Sequence, residues 1–250
     1  WTEHAMASQR PVVALTLGDA AGIGAELVAR LLARPETCAQ ANVVLVGDPW
    51  LWQEGQRIAG VAVPTQAVPS LAAVRGRGDA AMPAFVATDT IAADQVVRSQ
   101  AQAAGGASVL QVLNACMDAA QRREIDAICF APLNKFAMKQ GGLKHEDELH
   151  HFAEYLGVQG YFCEFNTLGD LWTARVSSHI PLKDAASWLT GERIKSATRL
   201  IYRSLQAAGM ARQRRLHARS STTTCSARCR RNRRRRTTDA PRIATTDAVP

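Results

Sequence analysis

Long apolar runs are missing from this 250-residue sequence. No segment approaches the roughly 20 consecutive apolar residues that a membrane-spanning helix needs, so no membrane association is expected. The first residues, W-T-E-H-A-M, have neither the basic region nor the apolar stretch of a secretory leader. These absences, with an ordinary hydrophobic content of 47%, predict a globular cytoplasmic protein.

Cysteines are few, with six in the whole sequence, and their spacing is irregular. Four of them are scattered along the chain, namely Cys38, Cys116, Cys129 and Cys163. Two of these lie in apolar segments, which is typical of reduced core cysteines and argues against a disulfide framework. The C-x-x-x-C at residues 225–229, with His217 upstream, is too sparse for structural zinc, which needs four ligands.

Acidic residues are nearly absent from the last part of the sequence. Residues 212–250 hold 12 of the 30 Lys and Arg but 2 of the 22 Asp and Glu. This segment therefore carries a net charge of +10, whereas the first 211 residues carry −2. Large aliphatic residues are also scarce there, so burial cannot offset the loss of chain entropy. The sequence thus predicts an N-terminal extension (1–10), a folded body (11–211) and a disordered basic tail (212–250).

Three interpretations of the basic tail stay open. Its abrupt change to Arg, Ser and Thr is typical of out-of-frame translation of GC-rich coding sequence. A solvated tail without a role is the second interpretation. The third is non-specific binding of nucleic acid, because arginines contact phosphates. No aromatic residue is interleaved to stack on bases, which weakens that third interpretation.

Strand-like and helix-like segments alternate along the body. Short apolar runs between turn residues predict strands at 12–17, 43–46, 127–130 and 172–177. Apolar residues at helical spacing predict helices at 25–32, 50–58, 107–122, 148–156 and 191–208. Prolines break residues 61–100 into short pieces that give no clear pattern. The alternation predicts an α/β fold, with a mostly parallel sheet and flanking helices.

A glycine-rich turn links the first predicted strand to the first predicted helix. Gly18, Gly22 and Gly24 fall within seven residues, and Asp19 lies between them. A helix N-terminus after such a turn presents backbone N–H groups to an anion. These four residues are therefore candidates to bind an anionic substrate or cofactor. The spacing does not match G-x-G-x-x-G, so the dinucleotide fingerprint is absent, and a tight turn that binds nothing is the alternative.

Two other segments place polar side chains at the ends of predicted strands. They are A-P-L-N-K at 131–135 and S-S-H-I-P-L at 177–182. Ligands of open α/β sheets bind at the carboxyl ends of strands, so Asn134 and Lys135 are candidates to bind a polar substrate. His179 is a candidate metal ligand or acid–base group, expected in the same cleft as Lys135 and the glycine-rich turn. A surface loop and a structural histidine are the alternatives.

The densest polar cluster is H-E-D-E-L-H-H at residues 145–151. The zinc motif H-E-x-x-H fails because Leu149 stands where its closing histidine should be. Glu148 and His151 are three residues apart, which gives half of a paired Glu-x-x-His metal site. The alternative is a solvated helix start whose acidic residues lie near the positive end of the helix dipole.

Together these segments resemble the 4-hydroxythreonine-4-phosphate dehydrogenase family of vitamin B6 (pyridoxine) biosynthesis. The family turn G-[DE]-P-A-G-I-G-P-[DE] corresponds to G-D-A-A-G-I-G-A-E at residues 18–26. The family loop [GA]-P-[IVL]-[NH]-K corresponds to residues 131–135, and T-T-H-[IL]-P-L corresponds to residues 177–182. The resemblance covers roughly residues 11–211 and implies an isocitrate/isopropylmalate-dehydrogenase-like α/β fold.

The resemblance further implies a homodimeric oxidoreductase that uses NAD and a divalent metal (Zn, Mg or Co) held by three histidines. His179 matches the first of these histidines. The motifs of the other two, N-P-H-[AN]-G-[ED] and [YH]-H-D-Q-G, do not occur in the sequence. The implied reaction is oxidation of a secondary alcohol by hydride transfer to NAD, followed by loss of a carboxylate. Because the match ends where the composition changes, we expect a truncated or frame-shifted chain without turnover.

The substrate-contacting G-H-T-E segment of the family has a different sequence here. Alignment back from residues 152–157 places Glu148 at the position of the family His and Leu149 at that of the Thr. Both are therefore candidate substrate-binding residues. A carboxylate beside a phosphorylated substrate is unfavourable unless a Lys or a metal lies between them. The expected substrate is 4-phosphohydroxy-threonine or, alternatively, a sugar-acid phosphate or a cis-dihydrodiol. A non-catalytic small-molecule-binding remnant is the other alternative.

Overall fold

The computed structural model describes residues 10–77, 81–168, 171–177, 180–209, 215–219 and 224–228. The chain divides into two compact units, Trp1–Leu156 and Gly157–Pro250. Within the described ranges, no helix combines the length and the apolar character that a membrane crossing requires.

A five-stranded parallel sheet forms the centre of the first unit. Its strands are β1 (Val12–Thr16), β2 (Asn42–Gly47), β3 (Gln66–Ala67), β4 (Ala84–Ala87) and β5 (Ala127–Phe130). Their spatial order is β3-β4-β2-β1-β5, and each neighbouring pair is parallel. The sequences of β1 and β2 are continuous apolar runs because helices cover both faces of the sheet at its centre.

Six α-helices in the described part of this unit accompany the sheet. They are α1 (Gly24–Leu32), α2 (Pro35–Gln40), α3 (Pro49–Ala59), α4 (Ala103–Gln121), α5 (Lys135–Gln140) and α6 (Glu148–Tyr155). Neighbouring residues of β2 point to opposite faces of the sheet. Leu45 packs in a cluster with Trp52 of α3, and Val44 packs in another with Val112 and Cys116 of α4. The predicted α/β fold with flanking helices is confirmed.

The four described cysteines outside β9 are free thiols. Cys38, Cys116 and Cys163 are buried, whereas Cys129 is exposed on β5. Burial raises the pKa of the Cys116 thiol to about 12, so it stays protonated and behaves as a small apolar side chain. The interpretation as core cysteines therefore holds for three of the four.

The second unit contains a four-stranded antiparallel sheet and two α-helices. Its strands are β6 (Phe165–Leu168), β7 (Leu171–Arg175), β8 (Arg215–Arg219) and β9 (Thr224–Arg228), in the order β6-β7-β9-β8. Its helices are α7 (Ala185–Trp188) and α8 (Gly191–Ala207). Ile201 and Leu205 of α8 pack in one cluster with Trp172 of β7, which gives this unit its own small core.

Strands β8 and β9 lie in the segment for which the sequence predicts disorder. For these ten residues the structure differs from that prediction. Strand pairing uses backbone N–H and C=O groups, which this segment supplies even though large aliphatic residues are scarce in it. β9 pairs with β7 from Leu171↔Arg228 to Arg175↔Thr224. The rest of residues 212–250, like residues 1–9, lies outside the described part of the chain.

Candidate active site at the carboxyl ends of β1 and β5

The glycine-rich turn after β1 packs directly on the loop that follows β5. Gly18 has φ +73°, and a Cβ there would lie 2.6 Å from the carbonyl oxygen of Pro132. The amide of Asp19 donates to the same carbonyl oxygen at 3.2 Å. At Gly24 a Cβ would lie 2.1 Å from the carbonyl oxygen of Leu17. Glycine is therefore required at both positions, and two of the three predicted site segments lie in contact.

Asp19 accepts hydrogen bonds from two backbone amides of the glycine-rich turn. Its Oδ1 accepts a hydrogen bond from the amide of Ala21 at 3.0 Å, and its carbonyl oxygen accepts from the amide of Gly22, also at 3.0 Å. A Cβ on Gly105 would lie 3.3 Å from the same Oδ1, so this carboxylate also lies at the N-terminal turn of α4. Negative charge is favourable there. In this structure the anionic group bonded at the turn is therefore the carboxylate of Asp19.

Asn134 and Lys135 begin helix α5 beside this turn. The side-chain oxygen of Asn134, the N-cap residue, accepts a hydrogen bond from the amide of Ala137 at 3.0 Å. Such a cap satisfies one of the backbone donors that a helix start leaves unpaired. It also fixes the direction in which the first residue of the helix, Lys135, leaves the loop.

Lys135 and Glu148 form an ion pair. The ammonium nitrogen lies 3.1 Å from Oε2 of Glu148, the first residue of α6, although the groups are not aligned as a hydrogen bond. The Lys135 side chain is 49% exposed, whereas that of Glu148 is 16% exposed. The ammonium is therefore accessible to a ligand from solvent, while the more buried carboxylate restrains its position. Leu149 follows Glu148 on α6 and is half-buried.

The histidines of the 145–151 cluster do not form the predicted half of a metal site. His151 Nε2 lies 2.8 Å from Asn114 Oδ1 on α4, whereas Glu148 pairs with Lys135. His145 Nε2 contacts Glu154. Across the described residues, no group of three or more His, Cys, Asp or Glu is arranged to hold a metal ion. His179, the predicted metal ligand, lies outside the described residues, so its expected place beside Lys135 stays a prediction.

The alternative of acidic residues near the helix start fits α6 better. Asp147 is its N-cap residue and is buried, and its Oδ1 accepts the amide of His150 at 2.9 Å. The same oxygen lies 2.6 Å from Nδ1 of His150. These contacts fix the first turn of α6, and with it the position of Glu148.

Burial lowers the pKa of His151, and the nearby His145 lowers it further, while Glu154 opposes this. In the unfolded chain His151 takes up a proton near its ordinary pKa of 6.5, whereas in the folded chain it takes one up only at lower pH. The free energy of unfolding should therefore fall as the pH drops below about 6.5. We expect His151→Gln to reduce this loss of stability between about pH 7.5 and about pH 5.5. Urea unfolding of both proteins at several pH values measures it. Equal pH dependence in the two proteins would contradict the interpretation.

Sequence reasoning missed a buried polar network at the carboxyl ends of β2 and β4. Asp48, 3% exposed, accepts hydrogen bonds from Thr88 Oγ1 at 3.0 Å, from the Thr90 amide at 2.8 Å and from Thr90 Oγ1 at 2.7 Å. Thr90 Oγ1 in turn lies 2.7 Å from Ser108 Oγ on α4. The signal was the G-D-P after a predicted strand, which indicates a turn but not the partners of the carboxylate.

The network borders a cavity too small for a substrate. The cavity has a volume of about 10 Å³ and is lined by residues including Thr16, Gly18, Asp48 and Ser108. Such a volume suits one water molecule at most. This cavity between β1 and β2 therefore cannot hold a substrate, whereas the exposed ammonium of Lys135 lies after β5.

The family model described as pyridoxal phosphate biosynthetic protein PdxA matches residues 39–217, which contain the loop and the ion pair of this site. The chain belongs to this family. A Pseudomonas aeruginosa protein named "Putative 4-hydroxythreonine-4-phosphate dehydrogenase 2" is 42% identical over 204 residues, covering 82% of this chain and 60% of the relative. The D-threonate 4-phosphate dehydrogenase of Bordetella bronchiseptica is 32% identical over 219 residues, covering 84% and 59%.

A solved structure of the PdxA family agrees in fold. The crystal structure of a 4-hydroxythreonine-4-phosphate dehydrogenase from Burkholderia phymatum superposes with a TM-score of 0.71 at 28% identity, covering 82% of this chain and 61% of that one. The chain thus spans about 60% of the length of the Pseudomonas and Bordetella relatives. The Pseudomonas, Bordetella and Burkholderia proteins are all named as dehydrogenases, and the family that the sequence predicts is confirmed.

Proposed function

We propose that this chain supplies part of a dehydrogenase that oxidises a phosphorylated hydroxy acid with NAD and then releases its carboxylate as CO2. In the first step, the substrate alcohol loses a hydride to NAD and a proton to solvent or a base. In the second, the bond to the carboxylate of the resulting β-keto acid breaks, and its electron pair forms an enolate. Family membership and the names of the relatives support the reaction class.

The observation that carries the proposal is the Lys135–Glu148 pair at the carboxyl end of β5. The half-exposed Lys135 ammonium would bind a carboxylate of the substrate and stabilise the negative charge that develops during decarboxylation. Glu148 holds that ammonium in place, and the Asn134 cap sets the start of its helix. These roles need no group beyond the first unit.

When bound, a divalent metal would polarise the substrate hydroxyl and stabilise the enolate. The resemblance assigns His179 to that metal, but the described residues do not form a ligand set that fits one. The proposed roles of Lys135, Glu148 and Asn134 therefore do not depend on it. We also propose NAD as the hydride acceptor and a homodimeric assembly, both from the resemblance.

A sugar-acid phosphate is a second candidate substrate. It is favoured because the Bordetella relative is named for D-threonate 4-phosphate. Glu148, which stands at a position where the resemblance implies a histidine, also supports a substrate different from 4-phosphohydroxy-threonine. Both candidates are phosphorylated hydroxy acids, so the reaction class does not depend on the choice.

NADH formation tests this proposal. Residues 1–211 would be joined to the part of the Pseudomonas relative that follows its matched region, and the chimera assayed with both substrates and added Zn²⁺, Mg²⁺ or Co²⁺. We expect turnover by the chimera, loss of turnover in its His179→Ala variant, and none by the 250-residue chain, because a metal site normally uses at least three protein ligands.

The Pseudomonas relative serves as the positive control. A folded chimera without activity, beside an active relative, would overturn the proposal. Robust turnover by the 250-residue chain would show that the site is built without the missing histidines and would overturn the role of His179.

A further inference from the structure

Two consecutive residues donate hydrogen bonds to three consecutive carbonyl groups of the glycine-rich turn. Arg98 Nη1 lies 2.9 Å from the carbonyl oxygen of Gly22 and 3.5 Å from that of Ala20. The backbone amide of Ser99 donates to the carbonyl oxygen of Ala21 at 2.9 Å. Arg98 and Ser99 therefore form a clamp on the side of the turn opposite Asp19.

The direction of the amides on the other side of the turn follows from the planarity of the peptide group. The C=O and N–H of one trans peptide point in opposite directions. With the carbonyl groups of Ala20 and Ala21 turned toward the clamp, the amides of Ala21 and Gly22 turn toward Asp19, where both are bonded. The turn is thus fixed from two sides, by the clamp and by Asp19.

The clamp itself is strained and anchored. Ser99 has φ +61°, a left-handed conformation that is uncommon for residues other than glycine and persists where the surroundings enforce it. Arg98 Nη2 lies 3.5 Å from Oε1 of Glu54 on α3, and Glu54 is held in turn by Arg57 at 2.7 Å. The guanidinium therefore bridges helix α3 and the turn, which a residue with a single donor could not do.

The turn passes this restraint on to the loop that holds Lys135. Asp19 donates its amide to the carbonyl oxygen of Pro132, and Gly18 leaves no room between the two segments. Pro132 lies three residues before Lys135. A continuous series of contacts thus runs from Arg98 through the turn to the loop that holds Lys135. The described bonds of Arg98 itself are to the turn and to Glu54.

We propose that Arg98 and Ser99 are positioning residues, which set the glycine-rich turn and, through it, the place of Lys135. The inference rests on the proposed function, because it assumes that Lys135 binds the substrate. The clamp predicts that a change at Arg98 alters both the mobility of the turn and the affinity of a site that Arg98 does not touch.

Hydrogen exchange measured by mass spectrometry on the full chain tests the clamp. In Arg98→Gln we expect about tenfold faster exchange of peptides covering 18–24 and 131–136, the change that the loss of one charge-assisted hydrogen bond produces. Arg98→Lys should recover part of the protection, and Ser99→Gly, which keeps the backbone donor, should retain it. Arg30→Gln is the matched control, because Arg30 is likewise an arginine paired with a glutamate, in this case Glu26 of its own helix α1.

Calorimetric titration with D-threonate 4-phosphate gives the functional readout. We expect about tenfold weaker binding by Arg98→Gln than by the unchanged chain or Arg30→Gln. Unchanged exchange in the turn, or faster exchange confined to the turn without the loop, would overturn the proposal. If the unchanged chain does not bind the ligand, the proposed function fails, and the exchange rates still decide whether the clamp exists.

Discussion

Replacing Gly106 by alanine is expected to cost about 3 kcal/mol of unfolding free energy. A Cβ at this position of α4 would lie 1.9 Å from the carbonyl oxygen of Ala137 and 2.2 Å from its carbonyl carbon. Both atoms belong to the backbone of α5, so the clash can be relieved only by moving the helix that Lys135 begins. Urea unfolding followed by circular dichroism measures the loss of stability.

Gly105→Ala is the matched control for this prediction. It lies next to Gly106 in the same helix, and its Cβ would meet Asp19 Oδ1 at 3.3 Å rather than a backbone at a forbidden distance. Both substitutions gain the roughly 1 kcal/mol that alanine gives over glycine in a helix. We expect Gly105→Ala to stay within about 1 kcal/mol of the original stability. Equal stability of the two variants would contradict the close contact of α4 and α5.

The central strands and the long helices could be predicted from the sequence. β2 is an apolar run between turn residues, and α4 repeats apolar residues at helical spacing, so local pattern and burial agree. The predicted start of α8 agrees with the observed one, and its predicted end lies one residue further on. Its buried residues, Ala197, Ile201 and Leu205, recur at helical spacing.

Residues 61–100 could not be predicted in the same way. β3 has two residues and β4 has four, which is too short for an alternating pattern to stand out. These two strands form because β4 pairs with β2 at Val44↔Ala84 and with β3 at Gln66↔Ala84. Pairing between distant segments leaves little trace in the local sequence. The ten strand residues after Arg212 were missed for the same reason, since β9 pairs with the distant β7 and β8 pairs with β9.

The single segments of the candidate site could be predicted from the sequence, but their arrangement in space could not. The turn at Gly18 and the loop at Lys135 each follow a predicted strand, but only the topology shows that β1 and β5 are neighbours. Glu148 became a candidate substrate-binding residue through a family resemblance, and its pairing with Lys135 depends on how α6 packs. The requirement for glycine at position 106 could not be predicted, because it depends on the close approach of α5 to α4.

Replacing Lys135 by methionine is expected to weaken binding of D-threonate 4-phosphate to this chain by about 10- to 100-fold. A hydrogen bond from a charged donor to an anion contributes roughly 1.5 to 3 kcal/mol. Methionine has a similar length and apolar stem but no charge, so the packing of α5 should change little. Loss of the ammonium also leaves Glu148 uncompensated, and its carboxylate would then repel an anionic ligand.

Isothermal titration calorimetry on the unchanged chain, Lys135→Met and Lys139→Met tests most directly whether the site lies at the carboxyl end of β5. Lys139 is exposed on the same helix, one turn further on, so its replacement removes the same charge away from Glu148. We expect binding by the unchanged chain, a loss of about 10- to 100-fold in Lys135→Met and at most about twofold in Lys139→Met. Absence of binding by the unchanged chain, or equal affinities in all three proteins, would contradict a substrate site at Lys135.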